Sequence, residues 1–102
     1  MPNQVIIPFQ PHWQHKMLAG LKTCTSRRKK HGNKGDTFRH FGASFVILTV
    51  EKYYLSVIAE YLYKEEGCDS PNEFIKIWTE LHPIKGWVPD QKVFVHFFRK
   101  ED

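Results

Sequence analysis

The strongest hydrophobic pattern in this chain is the run FVILTV at residues 45–50, which is apolar at almost every position. Such a run is typical of a central strand that is covered on both faces, and it can extend to Lys52. Residues 37–41 (TFRHF) alternate between polar and apolar side chains and predict the preceding strand. Residues 42–44 (GAS) favour a tight reversal between the two, so the segment predicts a β-hairpin.

Two later segments have helical periodicity. Apolar side chains recur at i, i+3, i+4, i+7 and i+8 over residues 55–63 and predict a helix that ends near Glu66, because Gly67 follows as a stop signal. Ser70 is followed by a proline and then by Glu73, which is a capping box and predicts the start of a second helix. Pro83 prevents that helix from extending much further. We expect its apolar face to pack in the core: Phe74, Ile77, Trp78 and Leu81.

Shorter elements are predicted towards both ends of the chain. Residues 5–8 (VIIP) favour a short first strand, and residues 11–20 favour a short helix between a proline and a glycine. After a loop at residues 84–90, residues 93–98 (VFVHFF) predict a closing strand. Within it, His96 is expected to be a buried, hydrogen-bonded histidine, and the alternative is that it faces a ligand cleft.

This order of elements predicts the fold class. Strand, helix, loop, hairpin, two helices and strand is not a βαβ repeat, and it suits an α+β fold with a small, mostly antiparallel β-barrel and flanking helices. A chain of 102 residues that is 41% hydrophobic is long enough for one core and too short for two. We therefore predict a single domain over residues 1–102.

Positive charge is concentrated in one segment, residues 20–36 (GLKTCTSRRKKHGNKGD), although the whole chain carries only +4. We refer to this segment as the basic loop. A local cluster of cations attracts phosphates, so nucleic acid is the leading class of partner, and the alternative is that these lysines are merely solvated. The residues expected to bind the anion are Arg27, Arg28, Lys29, Lys30 and Lys34.

Several classes of protein are not favoured. Cys24 and Cys68 are the only cysteines and have no metal-site spacing, so neither a metal nor a cofactor is expected. The first ten residues do not resemble a signal peptide, and no segment approaches the roughly 20 apolar residues that cross a bilayer. We expect a cytoplasmic protein with reduced thiols and no membrane partner, most simply a monomer.

The basic loop also contains a candidate nucleophile. Lys22, Thr25 and Arg27 form a KxxTxR spacing, in which an amine, a hydroxyl and a guanidinium can converge. A threonine hydroxyl attacks only if a neighbour removes its proton. Lys22 can do so in its neutral form, which burial and the adjacent Arg27 would favour.

A leaving group would need a proton donor, and here only a carboxyl can supply it. The candidates are Glu65, Glu66 and Glu73, of which Glu73 already serves the capping box. Glu65 and Glu66 stand at a predicted helix end, where the helix dipole disfavours a carboxylate. That placement suggests either a functional use or simply a solvated helix end.

Four features in this order resemble the ASCH domain over essentially the whole chain. They are Gly20-x-Lys22-x-x-Thr25-x-Arg27, Gly35-Asp36 before a strand, Glu66-Gly67 at a helix end, and the closing VFVHFF. The resemblance implies a PUA-like β-barrel that binds RNA through a cleft beside the basic loop. It also implies a possible activity, because one branch of small stand-alone bacterial ASCH proteins hydrolyses the acetyl amide of N4-acetylcytidine.

The catalytic residues of that branch fall on Lys22, Thr25 and Glu66, and its loop arginine falls on Arg27. The resemblance thus implies that Lys22 deprotonates Thr25, Thr25 attacks the acetyl carbonyl, and Glu66 protonates the departing amine. A direct Lys22–Glu66 ion pair would oppose this scheme by stabilising both charged forms. Residues 28–33 (RKKHGN) are more basic than a nucleoside hydrolase requires and suit a polyanion. A non-catalytic RNA-binding module in translation or RNA metabolism, and an RNA-cleaving enzyme that uses the same cleft, therefore remain alternatives.

Overall fold

The computed structural model describes residues 2–101. A 3₁₀ turn at Pro11–Trp13 leads into helix α1 (Gln14–Leu18), and strand β1 (Cys24–Arg27) follows. Strands β2 (Thr37–His40) and β3 (Ala43–Tyr54) precede helices α2 (Leu55–Tyr61) and α3 (Pro71–Leu81), and strand β4 (Lys92–Lys100) closes the chain. Within residues 2–101, no helix has the length and apolar character needed to cross a membrane.

The four strands form one curled antiparallel sheet in the order β1-β4-β3-β2. A shift of register between Ile47 and Thr49 marks a bulge in β3, which increases the local twist of the sheet. With three helices packed around this half-barrel, the predicted α+β fold is confirmed. The topology leaves β1 as an edge strand, which is hydrogen-bonded to β4 alone within the sheet.

The predicted hairpin between β2 and β3 is also confirmed. Its reversal consists of Phe41 and Gly42, whose φ angles are 53° and 74°. Two successive positive φ values are what a two-residue type I′ turn requires, and this turn matches the twist of the flanking strands. The reversal therefore lies one residue earlier than predicted, and β3 begins at Ala43.

Three phenylalanines from β2, β3 and β4 pack against one another in the core. Phe38 stacks on Phe45 with ring centroids 5.1 Å apart, and Phe98 meets both rings edge-on. All three side chains are buried. Stacked and edge-to-face pairs of this kind add to the free energy gained by burying apolar area. This cluster links the hairpin of β2 and β3 to β4, which is the strand that pairs with β1.

The start of α3 is confirmed as well. Ser70 Oγ accepts a hydrogen bond from Glu73 N at 3.1 Å, and Pro71 occupies the first helical position. The Glu73 carboxylate accepts from Asp69 N at 3.1 Å, one residue before the position expected of a capping box. Phe74 and Trp78 are buried as predicted, but Leu81 is 49% exposed, because the end of the helix borders a cleft.

Three predictions about local structure were wrong. Residues 5–8 form no strand, since backbone pairing with β2 is limited to a single bridge between Gln4 and Thr37, made by the bonds from Val5 N to Thr37 O and from Thr37 N to Asn3 O. Helix α2 ends at Tyr61, because the next residues turn so that Glu65 O can accept hydrogen bonds from Thr23 N and Cys24 N. The basic loop is not a loop throughout, because strand β1 lies within it.

Candidate functional site

A cleft of about 840 Å³ opens between β1, the segment before α1, and α3. One end is polar and is lined by Lys22, Thr25, Ser26, Arg27 and Glu66. The rest of the lining is an apolar, mostly aromatic wall formed by Phe9, Trp13, Phe74, Ile77, Trp78 and Leu81. The fold thus brings together all four residues of the KxxTxR–Glu66 set, although Glu66 lies far along the chain from the other three.

Strand β1 supplies two hydroxyls to the cleft, and they have different partners. Thr25 Oγ1 accepts a hydrogen bond from Arg27 Nε at 3.1 Å. Ser26 Oγ donates a hydrogen bond to Glu66 Oε2. Successive side chains of a strand point to opposite faces, so Thr25 is grouped with Arg27 while Ser26 lies on the side of Glu66. Ser26 was not predicted as a site residue, because its contact with Glu66 joins positions 40 residues apart and no local pattern marks it.

Lys22 is nearly fully buried at 3% exposure. Its Nζ lies 2.9 Å from Cys24 O, 2.8 Å from Glu66 O and 3.4 Å from Glu66 Oε1. An ammonium group has three protons to donate, so these three acceptors use all of them. The same Nζ lies 4.4 Å from the centroid of the Trp13 ring, a cation–π contact. The Lys22 amine is therefore directed at Glu66, Cys24 O and the Trp13 ring, and no hydrogen bond joins it to Thr25.

Glu66 is the ion-pair partner of Lys22. It is 4% exposed, and its two carboxylate oxygens face Lys22 and Ser26. The next residue, Gly67, has a φ of 89°, and a Cβ there would come within 2.8 Å of the Trp13 ring and 3.1 Å of Lys22 Cβ. Only glycine suits this position, because the backbone is left-handed and the neighbouring side chains leave no room. Of the two adjacent glutamates, Glu66 is the one that lines the cleft.

Arg27 connects the polar end of the cleft to the segment before α1. Its Nη2 donates to Pro8 O at 2.6 Å, and its guanidinium lies 5.0 Å from the centroid of the Phe9 ring. Burial lowers the pKa of Arg27, and the Glu66 carboxylate opposes that shift. Since a guanidinium has five N–H donors and these bonds occupy Nε and Nη2, further donors remain for a ligand.

The remaining cations of the basic loop are not all at the cleft. Arg28 and Lys29 are exposed and line it, whereas Lys30 and Lys34 are exposed but are not among the residues that line it. The structure therefore places Arg27, Arg28 and Lys29 at the cleft. Lys30 and Lys34 lie further along the loop. The expected role of all five cations in anion binding stays a prediction.

The side chain of His96 connects two parts of the basic loop, His31 and Thr25. It is fully buried, as predicted, and its Nε2 accepts a hydrogen bond from His31 N at 3.0 Å. Because Nε2 must be unprotonated to accept, the proton lies on Nδ1, which faces Thr25 O at 3.3 Å. Burial lowers the pKa of His96. The histidine thus stays neutral and joins the backbone of His31 to the backbone of Thr25 in β1.

Neither thiol is suited to act as a nucleophile. Cys24 and Cys68 are both buried and unpaired. Burial, and secondarily the Glu66 carboxylate, raises the pKa of Cys68 to about 11, and the same two causes raise the pKa of Cys24 well above its usual range. Both are therefore neutral thiols near pH 7, and a thiol must be ionised to attack. The candidate nucleophiles of this cleft are therefore the hydroxyls of Thr25 and Ser26.

Comparison with known proteins shows the fold. No family model matches the sequence, and neither does any curated protein. An ASCH domain from Lactobacillus crispatus matches with a TM-score of 0.68 and 12% identity, over 96% of this chain and 78% of the other. A protein from Enterococcus faecalis assigned to a family of unknown function matches with a TM-score of 0.67 and 19% identity, over 100% of this chain and 81% of the other.

A third solved structure, the hypothetical protein PH0355, has a TM-score of 0.68 and 15% identity, over 99% of this chain and 100% of its own. Identities this low establish a shared fold and nothing finer. The resemblance to ASCH domains seen in the sequence is confirmed at the level of the fold.

Proposed function

We propose that this chain, whose fold is that of an ASCH domain, binds N4-acetylcytidine, free or within RNA, and hydrolyses its acetyl amide. The observation that carries the proposal is the composition of the cleft, where hydroxyls, a carboxylate and two cations face an aromatic wall. A volume of about 840 Å³ is within the range of small-molecule sites and accommodates a modified nucleoside.

The aromatic wall supports binding of a planar base. Trp78 and Phe74 come from α3, and Phe9 and Trp13 come from the segment before α1, where they contact Arg27 and Lys22. Stacking of a base on an aromatic side chain contributes about 1–3 kcal/mol. The free donors of Arg27 suit the base O2 or the acetyl oxygen.

The polar end supports acyl transfer. Amide hydrolysis by a hydroxyl needs a base that takes its proton, a donor that returns the proton to the amine, and positive charge near the developing oxyanion. Because Lys22 Nζ already donates to Glu66 and to two backbone carbonyls, we assign the proton transfers to the Glu66 carboxylate. Lys22 then holds Glu66 in place, and Arg27 supplies the positive charge.

The exposed cations Arg28 and Lys29 at the cleft support a substrate within RNA rather than a free nucleoside alone. A wild-type protein that converts an acetylated RNA oligonucleotide to its unacetylated form and acetate would agree with the proposal. If instead it binds the oligonucleotide and leaves the acetyl group in place, the binding-module alternative is the correct one.

The RNA part of the proposal predicts a specific salt dependence. Replacing Arg28 and Lys29 together with alanine should reduce the slope of log affinity against log salt by about 1.4, because each contact with single-stranded nucleic acid releases about 0.7 counterion. Fluorescence anisotropy with a labelled single-stranded RNA over a series of KCl concentrations measures this slope. The control replaces Lys52 and Lys85, two exposed lysines that do not line the cleft and whose loss changes the net charge equally. Equal slopes for the two double variants would show that Arg28 and Lys29 make no phosphate contact.

A further inference from the structure

We propose that Ser26, rather than Thr25, is the hydroxyl that attacks the acetyl carbonyl, and that Glu66 is its general base. This inference rests on the proposed amide hydrolysis and assigns its nucleophile. It departs from the scheme that the ASCH resemblance implies, in which Lys22 activates Thr25.

The contacts of Ser26 are those of an activated nucleophile. Ser26 is among the residues that line the cleft, and its Oγ donates a hydrogen bond to Glu66 Oε2. The other carboxylate oxygen faces Lys22 Nζ at 3.4 Å, so the base is itself oriented by a third group. A nucleophile bonded to a base, and a base held by an orienting group, is the arrangement common to hydroxyl-dependent acyl transferases of unrelated folds.

Thr25 lacks such an arrangement. Its Oγ1 accepts a hydrogen bond from Arg27 Nε, and a guanidinium has no capacity to take a proton in return. Among residues 2–101, no side chain accepts a hydrogen bond from the Thr25 hydroxyl, and Lys22 donates its protons elsewhere. Thr25 therefore positions Arg27, while Ser26 has the base.

The reaction balances with these groups alone and a water molecule. As Ser26 Oγ bonds to the acetyl carbon, its proton moves to Glu66 Oε2. The bond between that carbon and the exocyclic nitrogen then breaks, and the nitrogen keeps the electron pair and takes the proton from Glu66, which releases cytidine. Water next gives a proton to Glu66 while its oxygen attacks the acetyl ester. Ser26 leaves with that proton, and acetic acid is released.

The test compares two adjacent hydroxyls. Ser26→Ala should lower kcat on N4-acetylcytidine by about a thousandfold or more with little change in KM, because the lost interaction exists only on the reaction path. Thr25→Val should lower it by only a few-fold, as expected for one neutral hydrogen bond. Ser56→Ala, at an exposed position on α2, is the matched control and should equal the wild type.

A second measurement needs no variant and so does not depend on how the variants fold. Wild-type protein is quenched in acid during turnover, digested, and examined by fragmentation mass spectrometry. The expected product is one acetyl group on Ser26 that hydroxylamine removes, which distinguishes an ester from acetylated lysine. A labile acetyl group on Thr25, or a Ser26→Ala variant that keeps more than about a tenth of wild-type activity, would overturn the inference while leaving the hydrolysis itself intact. A wild-type protein that releases no acetate would instead refute the proposed function.

Discussion

Replacing Lys22 with methionine is expected to lower the free energy of unfolding by about 3–5 kcal/mol. Lys22 and Glu66 are 3% and 4% exposed, so the substitution leaves a carboxylate that is buried with its cationic partner removed. It also removes the hydrogen bonds to the carbonyls of Cys24 and Glu66. Urea unfolding followed by tryptophan fluorescence measures the change, provided that the slope with denaturant stays constant.

Lys16→Met is the matched control. Lys16 Nζ forms an ion pair with Asp69 at 3.8 Å, but Asp69 is 87% exposed, and pairs of this kind contribute about 0–1 kcal/mol. Lys16 Nζ also donates a hydrogen bond to Gly67 O, which contributes about 1 kcal/mol, so the control is expected to lose less than Lys22→Met. Combining Lys22→Met with Glu66→Gln should recover part of the loss, because no charge is then left buried without a partner. A Lys22→Met variant that is no less stable than the control, or a double variant no more stable than Lys22→Met, would contradict the burial argument.

Replacing Glu66 with glutamine is expected to slow acetate release by about 10²–10⁴-fold, the usual contribution of a general acid–base group. The amide keeps the size of the side chain and can still accept a hydrogen bond from Lys22, so the variant is expected to fold and to bind the nucleoside, although with reduced stability because Lys22 is left buried without its charged partner. Steady-state kinetics and calorimetric binding separate these two effects. Glu65→Gln, at the neighbouring glutamate that does not line the cleft, should leave the rate within a few-fold of wild type. Similar losses in both variants would mean that Glu66 has no specific role.

Elements marked by local signals were predictable from the sequence. The hairpin of β2 and β3 was predicted with its turn displaced by one residue, and Ser70 caps α3 through its own side chain. Both depend on residues that are close together in the chain. Strand β1 was missed because its four residues, CTSR, include no strongly β-forming apolar side chain. They are ordered by pairing with β4 and are buried beside the cleft.

The same distinction applies to the site. The resemblance to ASCH domains implied Lys22, Thr25, Arg27 and Glu66, and the fold brings these side chains to one cleft. Their partners did not follow from the sequence, since the Lys22–Glu66 contact joins residues separated by 44 positions. Helix α2 ends earlier than predicted for a similar reason, because the backbone amides of Thr23 and Cys24 donate hydrogen bonds to Glu65 O. Long-range hydrogen bonds thus decide both the shape of this region and which hydroxyl meets a carboxylate.

The most direct measurement is the release of cytidine and acetate from N4-acetylcytidine, quantified by chromatography for the wild type and for Glu66→Gln side by side. The wild type is expected to release the two products in equal amounts, whereas Glu66→Gln, although it binds the nucleoside, is expected to release them about 10²–10⁴-fold more slowly. A wild-type protein that binds the nucleoside and releases neither product would contradict the account. So would a Glu66→Gln variant as fast as the wild type.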